Sequence, residues 1–394
     1  MESDKPAVLV FGVGSLQKSI IARAKRMGYF VVGIDPLEKA YVKEDCDAFE
    51  VVGGKDFEGT CAVVEKYNVK GIVTTSTDKP LVMMARVAEK YKMPFFSVET
   101  AIWSTDKYLM KQRFLKGGIP CAQGKTISIV DDVDDLHFPL IIKPRDNSGS
   151  RGVKLCRNKL ELLDSMHEAL DESRMDNVLV EEYIEGKEYS IEALHYNGKT
   201  EVIQFTEKET TEFPYNVELG HIQPADISDS DKEKIRQLIE RIGKIFNFEN
   251  CASHTELKIN ERGIFIIETS PRLGGDFINS YLTPLSTGIN MEDSLLQIAM
   301  RDDIKHPERI ERYAAIKFFS FPKGLEVKQI FDLNLLPKTK EIVEFCFKLE
   351  KGDIVAPITS SLNRHGYVIV HGSNLRSVIE TAEDCFRLVK QNCF

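Results

Sequence analysis

Glu256 and Glu268 stand twelve residues apart, on two apolar runs joined by Glu261-Arg262-Gly263. A three-residue hairpin loop ending in glycine is a type I turn closed by a left-handed residue. Such a loop opposes Asn260 to Ile264 and carries the register to Glu256 directly across from Glu268, with Cβ atoms about 5 Å apart on one face. Ile264 and Ile266 share that face, while Leu257, Ile259, Phe265 and Ile267 point the other way, into a core. Facing carboxylates repel unless a cation or a proton lies between them. Hard oxygen ligands so spaced suit Mg²⁺, which takes one or two carboxylates plus phosphate oxygens. The competing reading is a solvated pair on an exposed hairpin, and the isoleucines on that face argue against it.

A cationic set precedes this pair. Lys107 falls in the first turn of a helix beginning near Thr105-Asp106, where a cation opposes the helix dipole unless both face a polyphosphate. Lys143 ends the apolar run Leu140-Ile-Ile-Lys143, and the small-residue loop Asn147-Ser148-Gly149-Ser150-Arg151-Gly152 follows. Such a loop can fold its backbone N–H groups over phosphates. The run Val178-Leu-Val-Glu181-Glu182-Tyr183-Ile184 can present backbone groups to a purine edge, with Glu188 taking ribose hydroxyls. Two surface glutamates at a strand end is an equal reading of the same residues. Gly12-x-Gly14 with Asp35 has the spacing of a dinucleotide site, but Gln17 stands at the third glycine position. A tight strand-to-helix turn is the favoured reading there.

These residues need a scaffold, and the pattern supplies one. Strands at 7–12, 29–34, 71–75 and 94–97 alternate with helices at 15–27, 57–67 and 79–91, which predicts a parallel sheet of βαβ units. Beyond residue 104 a helix at 105–116 leads into closely spaced strands near 139–143, 152–156, 178–182 and 188–195. An amphipathic helix at 231–246 follows, then the hairpin, strands near 314–319 and 367–370, and a last helix at 375–390. The acidic run at 131–135 reads as a solvated loop. The 394 residues predict two or three domains. The expected units are 1–104, 105–302 (with a small lobe near 120–185) and 303–394.

Composition narrows the partners. The net charge of -9 argues against nucleic acid or an anionic membrane as the main partner. No apolar run approaches the roughly 20 residues of a membrane span, and the start lacks the pattern of a signal peptide. The eight cysteines form no Cys-x-x-Cys pair. Scattered thiols are expected in a reducing cytosol, so a cytoplasmic location is expected.

Taken together, the strand-ending Lys143 with its glycine-rich loop, Glu181 to Glu188, and the twelve-residue glutamate spacing resemble the ATP-grasp superfamily over nearly the whole chain. Biotin carboxylase, the carbamoyl phosphate synthetase large subunit and D-alanine–D-alanine ligase share this pattern. Within it, His254-Thr-Glu256-Leu-Lys258, Glu268-Thr-Ser-Pro-Arg272-Leu-Gly274-Gly275 and Glu218-x-x-His221-x-x-Pro224-Ala225 are most similar to bacterial L-amino acid ligases. Ser270 departs from the asparagine usual there and would ligate a second metal more weakly.

The resemblance implies an N-terminal parallel α/β domain, a two-lobed ATP-grasp domain and a small C-terminal α+β segment. It implies ATP with Mg²⁺ (Mn²⁺ as a substitute), small-molecule carboxylate and amine substrates, and a homodimer as in many relatives. Lys107, Lys143 and the loop Ser148, Gly149, Ser150 would hold phosphates. Glu181, Glu182, Tyr183, Ile184 and Glu188 would hold the nucleoside. Glu256, Glu268 and Ser270 would bind metal. Glu218, His221, His254, Arg272, Gly274 and Gly275 would line the substrate, with Arg272, Lys143 and Ser270 acting in catalysis. Segments 147–151 and 210–216 are expected lids. The implied reaction activates a carboxylate as an acyl phosphate, which an amine then displaces. Two alternatives are a purine-synthesis enzyme acting on a ribonucleotide and an ATP-binding regulator whose chemistry has lapsed. A nicotinamide dehydrogenase would rest on Gly12, Gly14 and Asp35 alone.

Overall fold

The computed structural model describes residues 5–129, 133–147, 149–213 and 215–394. Ser148 lies outside them, as do residues 131 and 132 of the acidic run and residue 214 of the second expected lid.

The first unit is a parallel sheet of four strands in the order Ala48–Val51, Phe30–Asp35, Ala7–Phe11, Val69–Val73. Every residue of Ala7–Phe11 is buried, as a central strand must be when helices cover both faces. Two elements differ from expectation. Residues 94–97 form no strand; Phe95 and Phe96 pack into the core, and Ser97 caps the helix Val98–Thr105 by accepting from Thr100 N–H at 3.1 Å. The fourth strand is instead Ala48–Val51, too short and half-buried to show a periodic signal. Asp106 then caps the helix Lys107–Lys116 through Tyr108 N–H and Leu109 N–H, which fixes Lys107 at its first position.

A small antiparallel sheet follows, with strands in the order Gly124–Ile127, Val178–Glu182, Leu140–Lys143, Lys154–Cys156. The helix Lys159–Asp171 closes one face over Leu140, Ile142, Val178 and Val180. The remaining strands join one eight-stranded sheet. It runs Gly263–Ser270, Cys251–Asn260, Lys187–Tyr196, Lys199–Thr210, Glu218–Gln223, Tyr313–Phe318, Gly366–Gly372, Ile342–Phe347. The ladder Gly220↔Lys317 to Gln223↔Ala314 carries this sheet unbroken past residue 302, so the C-terminal segment is bonded to the centre by main chain.

The hairpin that carries the two glutamates departs from expectation in an instructive way. Its loop is the two residues Glu261 and Arg262, so Asn260 pairs with Gly263 (φ +131°), not with Ile264. Left alone, that register would misalign the glutamates. A bulge at Ile267 inserts one extra residue, Leu257 pairing with Ile266 and Glu256 with Glu268. Ile266 N–H donates to Pro120 O at 2.8 Å on the outer edge beside the bulge. A bulge reverses the alternation beyond it. Ile264 and Ile266 therefore join Leu257 in the core, and Ile267 looks into a cleft with Glu268, a correction to the faces expected above.

Candidate functional site

Two clefts meet at the hairpin. The first, of about 920 Å³, lies between the small and large sheets and is lined by Lys107, Lys143, Glu181, Glu188, Glu256 and Glu268 among others. Gly149, Ser150, Glu182, Tyr183 and Ile184 line it too. Lys107 Nζ lies 3.2 Å from Glu268 and donates to Asn147 O at 2.8 Å. Lys143 and Lys111 both pair with Glu181, and all three side chains are buried. Burial would raise the Glu181 carboxyl, but the two ammonium groups hold it below the ordinary carboxylate range. Its side chain is thus the counter-ion of Lys143, and what the strand end offers a ligand is backbone. Glu182 turns to His137, at 2.9 Å from Nδ1. Tyr183 meets Phe213 edge-on at 5.4 Å, with Lys258 Nζ 4.8 Å from its ring centre. Ser150 takes a left-handed φ of 56° and donates to Asn216 O at 3.3 Å, tying the two expected lids together.

The carboxylate pair is answered by a lysine that sequence reading missed. Lys208 Nζ lies 3.0 Å from Glu188, 3.4 Å from Glu218 and 3.0 Å from Glu256, with its side chain 2% exposed. Burial would lower its pKa, yet the three glutamates raise it well above the usual lysine value. Burial likewise opposes ionisation of Glu256, but Lys208 and His254 hold its carboxyl well below the ordinary range. The alternation of Gln204, Thr206 and Lys208, each buried, was the available signal, but the strand Lys199–Thr210 was not recognised.

His254 extends the network. Its Nδ1 sits 2.6 Å from Glu192 and its Nε2 3.3 Å from Glu256. Burial would lower its pKa, but Glu192 and Glu256 outweigh it and push it up to about 9. Glu192, fully buried, also accepts from Asn279 Nδ2 at 3.1 Å. With its folded-state pKa above the unfolded value, the His254 proton stabilises the fold in full below about pH 6.5, the unperturbed histidine pKa. That contribution is lost as pH rises through about 9. His254→Gln is therefore expected to cost more stability at about pH 6 than at about pH 10, read by denaturant midpoints. An equal deficit at both would contradict the pairing.

The second cleft shares Gly149, Arg151, Glu218, Glu256 and Glu268 with the first. It adds His221, His254, Arg272 and Gly275, most of the expected substrate set, and two contributions from other parts of the chain. Asp78, from the loop after the strand Val69–Val73, holds Arg272 Nε at 2.9 Å and accepts the Ser270 hydroxyl at 2.6 Å. Burial opposes its charge, but Arg272 keeps the Asp78 carboxyl below its ordinary range. The polar run Ser76-Thr77-Asp78-Lys79 at the carboxyl end of a parallel strand is where open α/β sheets place ligands, and that signal went unused. Asp276 receives Arg364 from the C-terminal segment at 2.5 and 2.7 Å, with His221 Nε2 3.4 Å away. Gly274 lies behind this cleft; a Cβ there would stand 2.7 Å from His254 Nδ1, so a side chain is excluded.

The glycine turn of the first unit is fully used by the protein. Asp35 accepts from Val13 N–H at 3.0 Å, and Gln17 accepts from Gly14 N–H at 3.1 Å while donating to Thr75 O at 2.8 Å. Gln17 thus takes up the Gly14 N–H that a pyrophosphate would need. The tight-turn reading is the one the geometry supports.

Among the described residues no three His, Cys, Asp or Glu side chains gather as a metal cage. Glu256 and Glu268, opposed at the junction of two clefts, fit the sparser set that Mg²⁺ takes when phosphates complete its shell. Ser270 directs its hydroxyl proton to Asp78.

Comparison with known proteins agrees with this geometry. Residues 136–280 match the ATP-grasp domain family, and residues 317–392 match the L-amino acid ligase C-terminal domain 2. Alanine–anticapsin ligase of Bacillus subtilis (strain 168) is 25% identical over 230 residues, 52% of this chain and 48% of that protein. The chain thus spans about half the length of that relative. The crystal structure of an L-amino acid ligase from Bacillus licheniformis superposes with a TM-score of 0.85 at 18% identity, covering 100% of this chain and 98% of that one. Phosphoribosylglycinamide synthetase from Anaerococcus prevotii gives 0.77 at 22% identity, covering 99% of each. At these identities the likeness is one of fold. No helix among the described residues is long and apolar enough to cross a membrane.

Proposed function

We propose, from the premise that this chain carries an ATP-grasp domain followed by an L-amino acid ligase C-terminal domain, that it is an ATP-dependent carboxylate–amine ligase. The reaction forms an amide through an acyl phosphate and releases ADP and phosphate, with an amino acid as one substrate. The observation that carries this reading is the placement of Glu256 opposite Glu268 on the wall shared by the first two clefts. A nucleotide in the first cleft would point its phosphates at that wall, and a carboxylate beside Arg272 would stand on its other side.

Lys107 and Lys143, with the loop around Gly149 and Ser150, would hold the phosphates. Glu256 and Glu268 would hold Mg²⁺, which supplies charge neutralisation during phosphoryl transfer. Lys208 keeps Glu256 ionised, and His254 fixes its orientation from the other side. Arg272, aligned by Asp78, would stabilise the acyl phosphate and the oxyanion formed when the amine attacks. The loops at 147–151 and 210–216 would exclude water from the acyl phosphate. The match of residues 317–392 to the L-amino acid ligase C-terminal domain 2 favours an amino acid over a ribonucleotide as substrate.

The test is a matrix of L-amino acids and other carboxylates against amines with MgATP, read by phosphate release and product mass. Phosphate release and a product lighter than the summed substrates by one water are expected for at least one pair. Hydroxylamine in place of the amine should give a hydroxamate. MgATP binding with no turnover on any pair would favour the lapsed regulator instead.

A further inference from the structure

The second cleft, of about 1200 Å³, is walled mostly by charged and polar groups, among them Asp78, Lys208, Glu218, His254, Glu268 and Arg272. Two exposed leucines interrupt that wall. Leu16 comes from the first unit and Leu362 from the C-terminal segment, and they are 43% and 79% exposed. A single exposed leucine is ordinary on any protein surface. Two that line one charged cleft, supplied from opposite ends of the chain, form an apolar contact that a ligand side chain would cover.

Both leucines stand on hydrogen-bonded backbone. Leu16 lies in the helical turn Ser15–Gln17, where its carbonyl accepts the Thr75 hydroxyl at 3.1 Å and Gln17 Nε2 donates to Thr75 O at 2.8 Å. Leu362 lies in the turn Ser361–Asn363. Asn363 Oδ1 accepts from Thr359 N–H at 3.2 Å and Ser360 N–H at 3.1 Å, and its Nδ2 donates to Pro357 O at 3.0 Å. Arg364 ties that turn to the large sheet. Its Nε donates to Ser361 O at 2.9 Å, its other nitrogens reach Asp276 and Glu218 O, and its guanidinium lies 3.5 Å from the Phe318 ring centre. Leu362 is thus presented at a fixed place.

The same turn comes close to the phosphate side, since a Cβ on Gly149 would stand 3.3 Å from Ser361 Oγ. In a ligase the substrate next to the γ-phosphate is the carboxylate, because it reacts first and the amine attacks only the acyl phosphate. Its carboxyl would lie by Arg272, which lines the same cleft as both leucines. We propose that Leu16 and Leu362 select the carboxylate substrate by its side chain, taking an apolar one and excluding a charged one. The inference rests on the ligase reading above. An apolar side chain removes both leucines from water, whereas a charged one would lose hydration against them.

The experiment uses the full chain with MgATP and hydroxylamine at high concentration, which traps the acyl phosphate and needs no amine partner. L-Leucine, L-aspartate and glycine serve as acids, and hydroxamate formation gives kcat/KM for each. Wild type is expected to favour L-leucine over both others by about tenfold or more. Leu362→Ser and Leu16→Ser should each lower the leucine-to-glycine ratio by about fivefold, since glycine has no side chain to lose the contact. The ratio is taken within one preparation, so any loss of folded protein cancels from it. A wild-type preference for L-aspartate or glycine, or an unchanged ratio in either variant, would overturn the assignment. So would variants that alter the choice of amine but not that of acid. Absence of hydroxamate with every carboxylate in wild type would instead overturn the ligase reading, on which the assignment depends.

Discussion

Replacing Glu268 with glutamine is expected to abolish ADP and phosphate release while the protein stays folded. Glutamine keeps the shape and removes the charge. Glu268 pairs with Lys107 at 3.2 Å with its side chain 27% exposed, and such a pair contributes at most about 1 kcal/mol to stability. Its proposed role in holding Mg²⁺ against the phosphates is worth several kcal/mol, so turnover should fall on the order of 10³-fold or more. Phosphate release measures the first effect, and circular dichroism with thermal melting the second. Wild-type turnover in the variant would refute the metal assignment.

Lys208→Met should be the most damaging single change in the centre. The substitution preserves length and apolar stem but strands Glu188, Glu218 and Glu256 around one buried point. Breaking a buried ion pair by removing one partner costs about 3–5 kcal/mol, because the remaining charge is uncompensated. The sign with pH follows from the shifts. Lys208 holds Glu256 well below the usual carboxylate range, so in its absence that carboxyl ionises less readily. Protonating Glu256 relieves the repulsion left around that point, so the stability deficit should shrink as pH falls from about 8 toward about 5. Urea denaturation at those two pH values checks this, and a deficit that stays constant would show that Lys208 contributes by packing alone. Turnover should be lost as well, since Glu256 would no longer be held in place.

The contrast between these two residues shows where sequence reading stopped. Glu268 was legible because its partner Glu256 lies in the same hairpin, and cross-strand pairing is a local rule. Even there the turn was misread by one residue, and the bulge at Ile267 restored the pairing. The glutamates face each other as expected, but Ile266 and Ile267 exchange faces. Lys208 was not legible, because its partners Glu188, Glu218 and Glu256 come from three separate strands. Asp78 and Arg364 reach the centre from the first unit and from the C-terminal segment, across contacts spanning 194 and 88 positions.

What the sequence determined by itself was the set of chemical parts and their local frames. A capped helix start fixes Lys107, a strand end fixes Lys143, and a hairpin fixes two carboxylates; each follows from hydrogen bonding and side-chain periodicity within a few residues. What only the tertiary structure decided was the charge partner of each part. Glu181 became the counter-ion of two buried lysines, and Arg272 was aligned by a carboxylate from another unit. The physical reason is that a buried charge must be matched within about 4 Å, and which groups meet at that distance is set by how sheets pack, not by their spacing along the chain.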